Sequence, residues 1–251
     1  MAEDIILETH NLTKEFKGFI AVKGVDLKVR RHTIHALIGP NGAGKTTCFN
    51  LLTHFLIPTS GQVHYNGRDI TGSNPAVIAR SGMVRSFQIS AVFPHLSVRD
   101  NVRIALQRKL GISFQFWRSE AMLNTLNTRA AELLEDVGIA GYADTLAVEL
   151  PYGRKRALEI ATTLALEPEM LLLDEPMAGL GHEDIDRIAA LIKKVSKGRT
   201  ILMVEHNMSV IASLSDTITV LQRGEVLAEG NYDDVSRNPQ VIEAYVGTGH
   251  G

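Results

Sequence analysis

Short apolar runs alternate along most of the chain with segments whose apolar residues recur at helical spacing. Strands are predicted at residues 34–38, 62–67, 83–88, 170–173 and 200–204. Short apolar runs that are bounded by turn residues are typical of strands. Helices are predicted where apolar residues recur from Cys48 to Phe55 and from Ile185 to Val195. This alternation indicates an α/β protein with a parallel sheet.

Three regions depart from the alternation. Near the N-terminus, short strands at 5–8, 21–22 and 25–29 are expected to pair as an antiparallel sheet. From residue 98 to 166 the pattern is helical, which predicts a helical insertion. Its two clearest helices carry apolar faces from Met122 to Val137 and from Ala157 to Ala165. Near the C-terminus, a hairpin over 218–228 and a helix over 239–245 are predicted.

The segment between the first predicted parallel strand and its helix has the composition of a phosphate-binding loop. Gly39, Gly44, Lys45 and Thr46 occupy the fixed positions of the pattern G-x-x-x-x-G-K-[ST]. Free backbone N–H groups and the helix dipole make such a turn an anion site. Lys45 is expected to reach the β- and γ-phosphates of a nucleotide, and the Thr46 hydroxyl to bind Mg²⁺. The loop residues assigned to nucleotide binding are Asn41, Gly42, Ala43, Gly44, Lys45, Thr46 and Thr47.

Composition and charge narrow the possible functions. The formal net charge of −2 argues against a protein that binds nucleic acid through a basic surface. The single cysteine, Cys48, excludes an internal disulfide and suits a reducing compartment. The first four residues are acidic, unlike a signal peptide, and no apolar run is long enough to span a bilayer. A cytoplasmic protein is expected, with any membrane role exerted through a partner.

Polar residues stand where the predicted parallel strands end, which is where ligands bind in such sheets. Asp174 follows an apolar strand and is expected to hold Mg²⁺, and Glu175 is placed to accept a proton from water. Gln88 and His206 end two further strands. His206 is either a structural histidine or a contact to the γ-phosphate. Phe16, in a predicted polar turn, either stacks on the adenine ring or faces the core.

The motifs together resemble those of the ATP-binding subunits of ABC transporters over nearly the whole chain. The resemblance makes residues 39–47 the Walker A loop, Met170–Asp174 the Walker B strand and Phe16 the adenine-stacking aromatic. It also assigns Glu175, His206, Gln88 and Lys45 to catalysis, Thr46, Gln88 and Asp174 to Mg²⁺, and Phe16, Val22, Tyr152 and Gly153 to nucleotide binding. The implied fold is a P-loop core of ABC type with an antiparallel β-subdomain, formed by residues 1–97 and 168–251. A helical subdomain over 98–167 is inserted in it.

Within this family, three stretches resemble the branched-chain amino acid uptake ATPases: 59–72, 84–88 and 238–245. The implied function is an ATP-hydrolysing subunit that powers import of branched-chain or other hydrophobic amino acids. Its partners are expected to be membrane permeases, a second ATPase subunit and, indirectly, a binding protein outside the membrane. It would sit at the cytoplasmic face of the membrane. Uptake of amides or urea, lipopolysaccharide export, and an ABC ATPase without a transport role are the alternatives.

Two positions differ from the usual family pattern. The segment Leu150–Arg154 resembles the ABC signature, but Pro151 replaces the usual hydroxyl residue. Residues 178–181, after the Walker B strand, lack the usual acid or amide near Gly181. Both changes fall on the surface that would face the ATP of a partner subunit. This pattern favours a heterodimer in which one of the two composite ATP sites is weak.

Overall fold

The structure is a computed structural model that describes residues 4–86, 92–109 and 120–246. These residues form two compact units. The first comprises residues up to 85 together with 169–176 and 195 onward, and the second comprises 86–168 and 177–194. The second unit includes 177–194, which the sequence analysis placed in the nucleotide-binding core, so the predicted subdomain limits stay a prediction.

The observed elements follow the predicted order. The strands are β1 (Ile5–Phe16), β2 (Phe19–Val25), β3 (Lys28–Arg30), β4 (Ile34–Ile38), β5 (Ser60–Tyr65), β6 (Arg68–Asp69), β7 (Met83–Ser86), β8 (Met170–Asp174), β9 (Thr200–Val204), β10 (Thr217–Gln222) and β11 (Glu225–Gly230). The helices are α1 (Lys45–Leu52), α2 (Pro75–Arg80), α3 (Val98–Lys109), α4 (Glu120–Asp136), α5 (Tyr152–Leu164), α6 (His182–Val195), α7 (Met208–Leu214), α8 (Tyr232–Ser236) and α9 (Pro239–Val246). None of the helices in the described part of the chain is both long and apolar enough to cross a membrane.

The larger sheet of the first unit has the strand order β11-β10-β4-β9-β8-β7. Strands β10, β4, β9 and β8 run parallel to one another, and β11 pairs antiparallel with β10. Every residue of β4, β8 and β9 is buried, as expected for parallel strands covered on both faces. The ends of β4, β8 and β9 therefore lie side by side at one edge of the sheet.

The predicted antiparallel sheet is also confirmed, with strand order β2-β1-β5-β6 and β3 paired to β1. Strand β1 is longer than predicted and ends at Phe16, so this residue closes a strand and does not lie within a turn. Leu7 and Leu12, which point inward from β1, are fully buried. Their burial stabilises the strand beyond the predicted residues 5–8, although most of the added residues are polar. The predicted strand over 25–29 is instead two strands, because β2 ends at Val25 and β3 begins at Lys28.

The core of the first unit combines both sheets with α1. Cys48, Phe49, Leu51 and Leu52 of α1 are fully buried, and burial raises the pKa of the Cys48 thiol to about 12. Phe55 lies beyond the end of α1 and its side chain is half exposed, so its predicted place on the helical face was wrong. In the second unit, α3, α4 and α5 pack against one another. The helical character of this region is as predicted.

Candidate functional site

The loop between β4 and α1 contains two glycines, Gly39 and Gly44, at which any side chain would clash with neighbouring backbone. Gly39 has φ +149° and Gly44 has φ +101°, both in the region that favours glycine. A Cβ on Gly39 would lie 2.2 Å from the Leu221 carbonyl oxygen, and one on Gly44 would lie 2.5 Å from the Ala21 carbonyl oxygen. The loop is therefore closely held between the end of β10 and β2.

The turn between β10 and β11 supports the loop from outside. The Gly224 N–H donates to the Ala43 carbonyl at 3.0 Å, and the Gly224 carbonyl accepts the Lys23 N–H at 2.8 Å. A chain of backbone hydrogen bonds thus connects the loop to β2. This arrangement fixes the loop before any ligand is present.

The start of α1 has the properties of an anion site. Gly44 precedes the helix and offers no side-chain cap, and no acidic residue occupies the first turn. Asn41, Gly42 and Thr46 are exposed, whereas Ala43 is buried and Thr47 half-buried. The first N–H groups of a helix without a cap are donors that a phosphate can satisfy.

Lys45 is buried and turns back onto its own loop. Its Nζ donates to the Gly39 carbonyl at 2.7 Å and to the Pro40 carbonyl at 3.0 Å. Burial lowers the pKa of Lys45, and the charges of Glu175 and Asp174 act in the opposite direction. Phosphate oxygens at the mouth of the loop would give this ammonium an anionic partner in place of neutral carbonyls.

Asp174, the last residue of β8, forms a buried ion pair with Arg85 of β7. The Arg85 Nη2 lies 2.5 Å from the Asp174 Oδ2, and the Arg85 Nη1 donates to the Asn50 Oδ1 of α1 at 2.6 Å. The arginine thus connects the Asp174 carboxylate to α1, the helix that follows the loop. Sequence analysis did not assign a role to Arg85. A basic residue at the end of a strand is the signal that would have found it.

Glu175 and His206 are brought together although 31 residues separate them. The Glu175 Oε1 lies 2.8 Å from the His206 Nε2, and the Glu175 N–H donates to the Val204 carbonyl at 2.9 Å. Glu175 has φ +48°, a left-handed conformation that is costly for a residue other than glycine and concentrates at functional sites. The turn directs this carboxylate toward the end of β9.

A second glutamate, which sequence analysis missed, holds the backbone of His206. The Glu205 side chain is buried, and its Oε2 accepts the N–H of His206 at 2.9 Å and that of Asn207 at 3.1 Å. Asn207 in turn caps α7 through its side chain. Glu205 therefore holds the backbone segment that carries His206.

The aromatic and apolar residues assigned to the adenine lie at and beside the β1–β2 hairpin. The Phe16 ring is 42% exposed, and the Lys14 Nζ lies 5.1 Å from its centroid. Its cross-strand partner Phe19 is still more exposed, at 67%. Val22 is fully buried in the core, so its side chain does not line the site in this structure.

Tyr152 and Gly153 begin α5 in the second unit. The Tyr152 hydroxyl accepts a hydrogen bond from the Arg156 Nη2 at 3.1 Å, and its ring is half exposed. Gly153 is covered by Asp184, because a Cβ there would lie 2.4 Å from the Asp184 Cγ. The helix has Pro151 at its N-cap and receives no side-chain cap hydrogen bond. Gln88, the remaining predicted site residue, lies outside the described residues.

Two descriptions of protein families match this sequence. One, for ABC transporters, matches residues 22–178. The other, for branched-chain amino acid ATP-binding cassette transporters, matches residues 225–251 at the C-terminus.

Individual proteins are similar over almost the full length. The chain is 41% identical over 252 residues to the high-affinity branched-chain amino acid transport ATP-binding protein BraF of Pseudomonas aeruginosa, covering 96% of this chain and 98% of that protein. It is 39% identical over 254 residues to the corresponding protein LivG of Escherichia coli, with the same coverage. Among solved structures, an ATP-binding cassette of an ABC transporter in its ADP conformation superposes with a TM-score of 0.84. It is 30% identical, with 97% of this chain and 99% of that one covered.

Proposed function

Because the chain belongs to the ABC transporter family, we propose that it is the ATP-hydrolysing subunit of an importer of branched-chain amino acids. The observation that carries the proposal is the grouping of a phosphate loop with Asp174, Glu175 and His206 in the first unit. The P. aeruginosa and E. coli relatives, which transport branched-chain amino acids, supply the substrate class.

The residues at this site fit ATP and Mg²⁺. The uncapped start of α1 and the buried ammonium of Lys45 suit the phosphates. The Thr46 hydroxyl and the Asp174 carboxylate are the hard oxygen donors that Mg²⁺ prefers. When bound, Mg²⁺ supplies charge stabilisation to the transferred phosphoryl group.

Glu175 and His206 take separate parts in hydrolysis. The Glu175 carboxylate accepts the proton of the attacking water. His206, held by Glu205 and bonded to Glu175 at 2.8 Å, orients that carboxylate and contacts the γ-phosphate. Lys45 neutralises charge that develops on the phosphate oxygens. Gln88 completes the proposed set: it would bind Mg²⁺ and would connect the nucleotide site to a permease.

We further infer that the chain acts with a second, different ATPase subunit. Pro151, at the start of α5, has neither a hydroxyl nor a backbone N–H that could bind the ATP of a partner subunit. The Asp184 carboxylate also covers Gly153. Asp184 is paired with Arg187, so its carboxylate opposes the approach of a phosphate mainly by occupying the space above Gly153. If the purified chain alone hydrolysed ATP at the rate of the complete transporter, this inference would be wrong.

Uptake in cells tests the importer role. In the native host, a chromosomal Glu175→Gln substitution is expected to abolish high-affinity uptake of radiolabelled leucine, isoleucine and valine, and to leave urea and acetamide uptake unchanged. Glu132→Gln, which alters an exposed glutamate paired with Arg129, is the matched control and should transport normally. Loss of amide uptake with normal leucine uptake would overturn the substrate class. Normal uptake of every solute would overturn the role of Glu175.

A further inference from the structure

Two histidines and a glutamate gather on the outer face of the antiparallel sheet, away from the phosphate loop. Glu8 and His10 belong to β1, and His64 of β5 lies directly opposite Glu8. Residues two apart on a strand share a face, so all three side chains project from the same side. The other face carries Leu7, Thr9, Val63 and Tyr65, which are buried.

The three side chains are close enough to bind a common ion. Their donor atoms all lie within 4.8 Å of one another, and the Glu8 Oε2 and the His10 Nε2 are 3.6 Å apart. The rings of His10 and His64 meet edge to face, with centroids 5.1 Å apart. In the described ranges, no other group of three or more histidine, cysteine or acidic side chains is arranged in this way.

The inner nitrogen of this group lacks a hydrogen bond. The His64 Nε2 is buried and has no partner among the described residues. A buried polar atom without a partner is rare in proteins, and a bound ion is one way to satisfy it. This observation is independent of the clustering, because it concerns one atom and its surroundings.

The ligand chemistry selects the class of ion. Two imidazoles and one carboxylate bind Zn²⁺ in known catalytic sites, whereas Mg²⁺ and Ca²⁺ prefer oxygen donors. At metal–ligand distances of 2.0–2.1 Å, tetrahedral coordination places the donor atoms about 3.3 Å apart. The widest separation therefore has to shorten by at most about 1.5 Å. The side chains of His10 and Glu8 are 50% and 31% exposed and can rotate to do so.

We propose that Glu8, His10 and His64 form a binding site for a divalent first-row transition metal, with Zn²⁺ as the preferred ion. The metal joins β1 to β5 through three protein ligands and leaves one position for water. Asp69 of β6 lies opposite His64, and Lys28 of β3 lies opposite Glu8. The Asp69 carboxylate, which accepts the Thr71 N–H at 2.8 Å, adds negative charge beside the site.

The experiment uses the full chain with its affinity tag removed, stripped with EDTA and free of nucleotide. Zn²⁺ is titrated in competition with a chromophoric chelator, and Co²⁺ is titrated while its visible absorbance is followed. We expect one strong site per chain, with the intense Co²⁺ bands of four- or five-coordinate geometry. His10→Gln and His64→Gln should each weaken Zn²⁺ binding at least tenfold, since each removes one of three ligands. His182→Gln, which changes an exposed histidine outside the cluster, should leave binding unchanged.

Thermal unfolding gives a second readout that does not depend on ATP hydrolysis. Zn²⁺ should raise the Tm of the wild type and of His182→Gln but not of His10→Gln, because a ligand that binds only the folded state stabilises it. His10 is exposed, so His10→Gln should fold normally even if His64→Gln does not. Binding that persists in His10→Gln, or a wild type without a strong site, would overturn the proposal.

Discussion

Replacement of Arg85 in the Arg85–Asp174 ion pair should reveal the stabilisation that a bound metal adds to that of the nucleotide. Arg85→Met removes the guanidinium but keeps a long apolar side chain beside Phe49 and Phe55, whose rings lie 5.8 and 6.0 Å from the guanidinium carbon. The change leaves the Asp174 carboxylate in place. Its charge then lacks the partner that lies 2.5 Å away in the wild type.

The expected magnitude follows from the burial of the pair. The Arg85 and Asp174 side chains are only 10% and 2% exposed. Removal of one partner from a buried ion pair costs about 3–5 kcal/mol, because the remaining charge is left without compensation. We therefore expect Arg85→Met to lower the free energy of unfolding by about 3 kcal/mol in the absence of metal. Mg²⁺ bound at Asp174 would replace the missing positive charge, so part of this loss should be recovered with Mg²⁺ and ATP.

Urea denaturation measures both parts. The wild type, Arg85→Met and Arg129→Met are compared with a non-hydrolysable ATP analogue and EDTA, and again with the same analogue and Mg²⁺. The stabilisation that Mg²⁺ adds should be larger in Arg85→Met than in the wild type. Arg129→Met removes an exposed ion pair on α4 and should change stability by less than about 1 kcal/mol. Equal stabilisation of the wild type and Arg85→Met by Mg²⁺ would refute the reasoning.

Three further substitutions test other parts of the fold and site. Burial, with a smaller contribution from Arg30, lowers the pKa of His35 to about 4, so only the unfolded state takes up a proton between about pH 6.5 and pH 4. Stability is lost as the pH falls through this window. The difference in free energy of unfolding between the wild type and His35→Gln should therefore change by about 3 kcal/mol from pH 7 to pH 4. A difference that stays constant with pH, measured by urea denaturation, would contradict this. Phe16→Ala should weaken ATP binding about tenfold through lost stacking, measured with a fluorescent analogue, whereas an effect of Phe19→Ala alone would move the stacking role to Phe19. Glu205→Ala leaves two N–H groups without their acceptor and should lower kcat more than it raises KM, and Glu205→Gln should restore most of kcat because its amide oxygen can still accept them.

Sequence analysis could find the parts of the site whose residues lie close to one another in the sequence or directly follow a strand. The phosphate loop is one contiguous segment, and its glycines are required by local backbone conformation. Asp174 and His206 were located because each follows an apolar strand, and parallel strands end at the same edge of a sheet. Local pattern and one rule of topology were sufficient for these residues.

Contacts between distant segments were not predictable in the same way. Arg85 and Asp174 are 89 residues apart, and their pairing depends on the placement of β7 beside β8. The cluster of Glu8, His10 and His64 depends on the register of β1 and β5. A shift of one residue in this register would have placed His64 on the opposite face of the sheet from Glu8 and His10. Sequence periodicity does not fix such a register when the strand contains polar positions on both faces.

The left-handed turn at Glu175 explains how two adjacent carboxylates serve different purposes. Strand β8 lies between β7 and β9 in the sheet. Asp174 ends β8 and binds Arg85 of β7, whereas Glu175, with φ +48°, binds His206 at the end of β9. Two acids on a continued strand would simply alternate between its faces. The turn instead divides them between the neighbours on either side, which suits the separate roles proposed for them: metal binding for one carboxylate and proton acceptance for the other. An exchange of the two residues would not preserve function, because a planar guanidinium faces one carboxylate and an imidazole faces the other, and the two groups differ in shape and in the hydrogen bonds they can form.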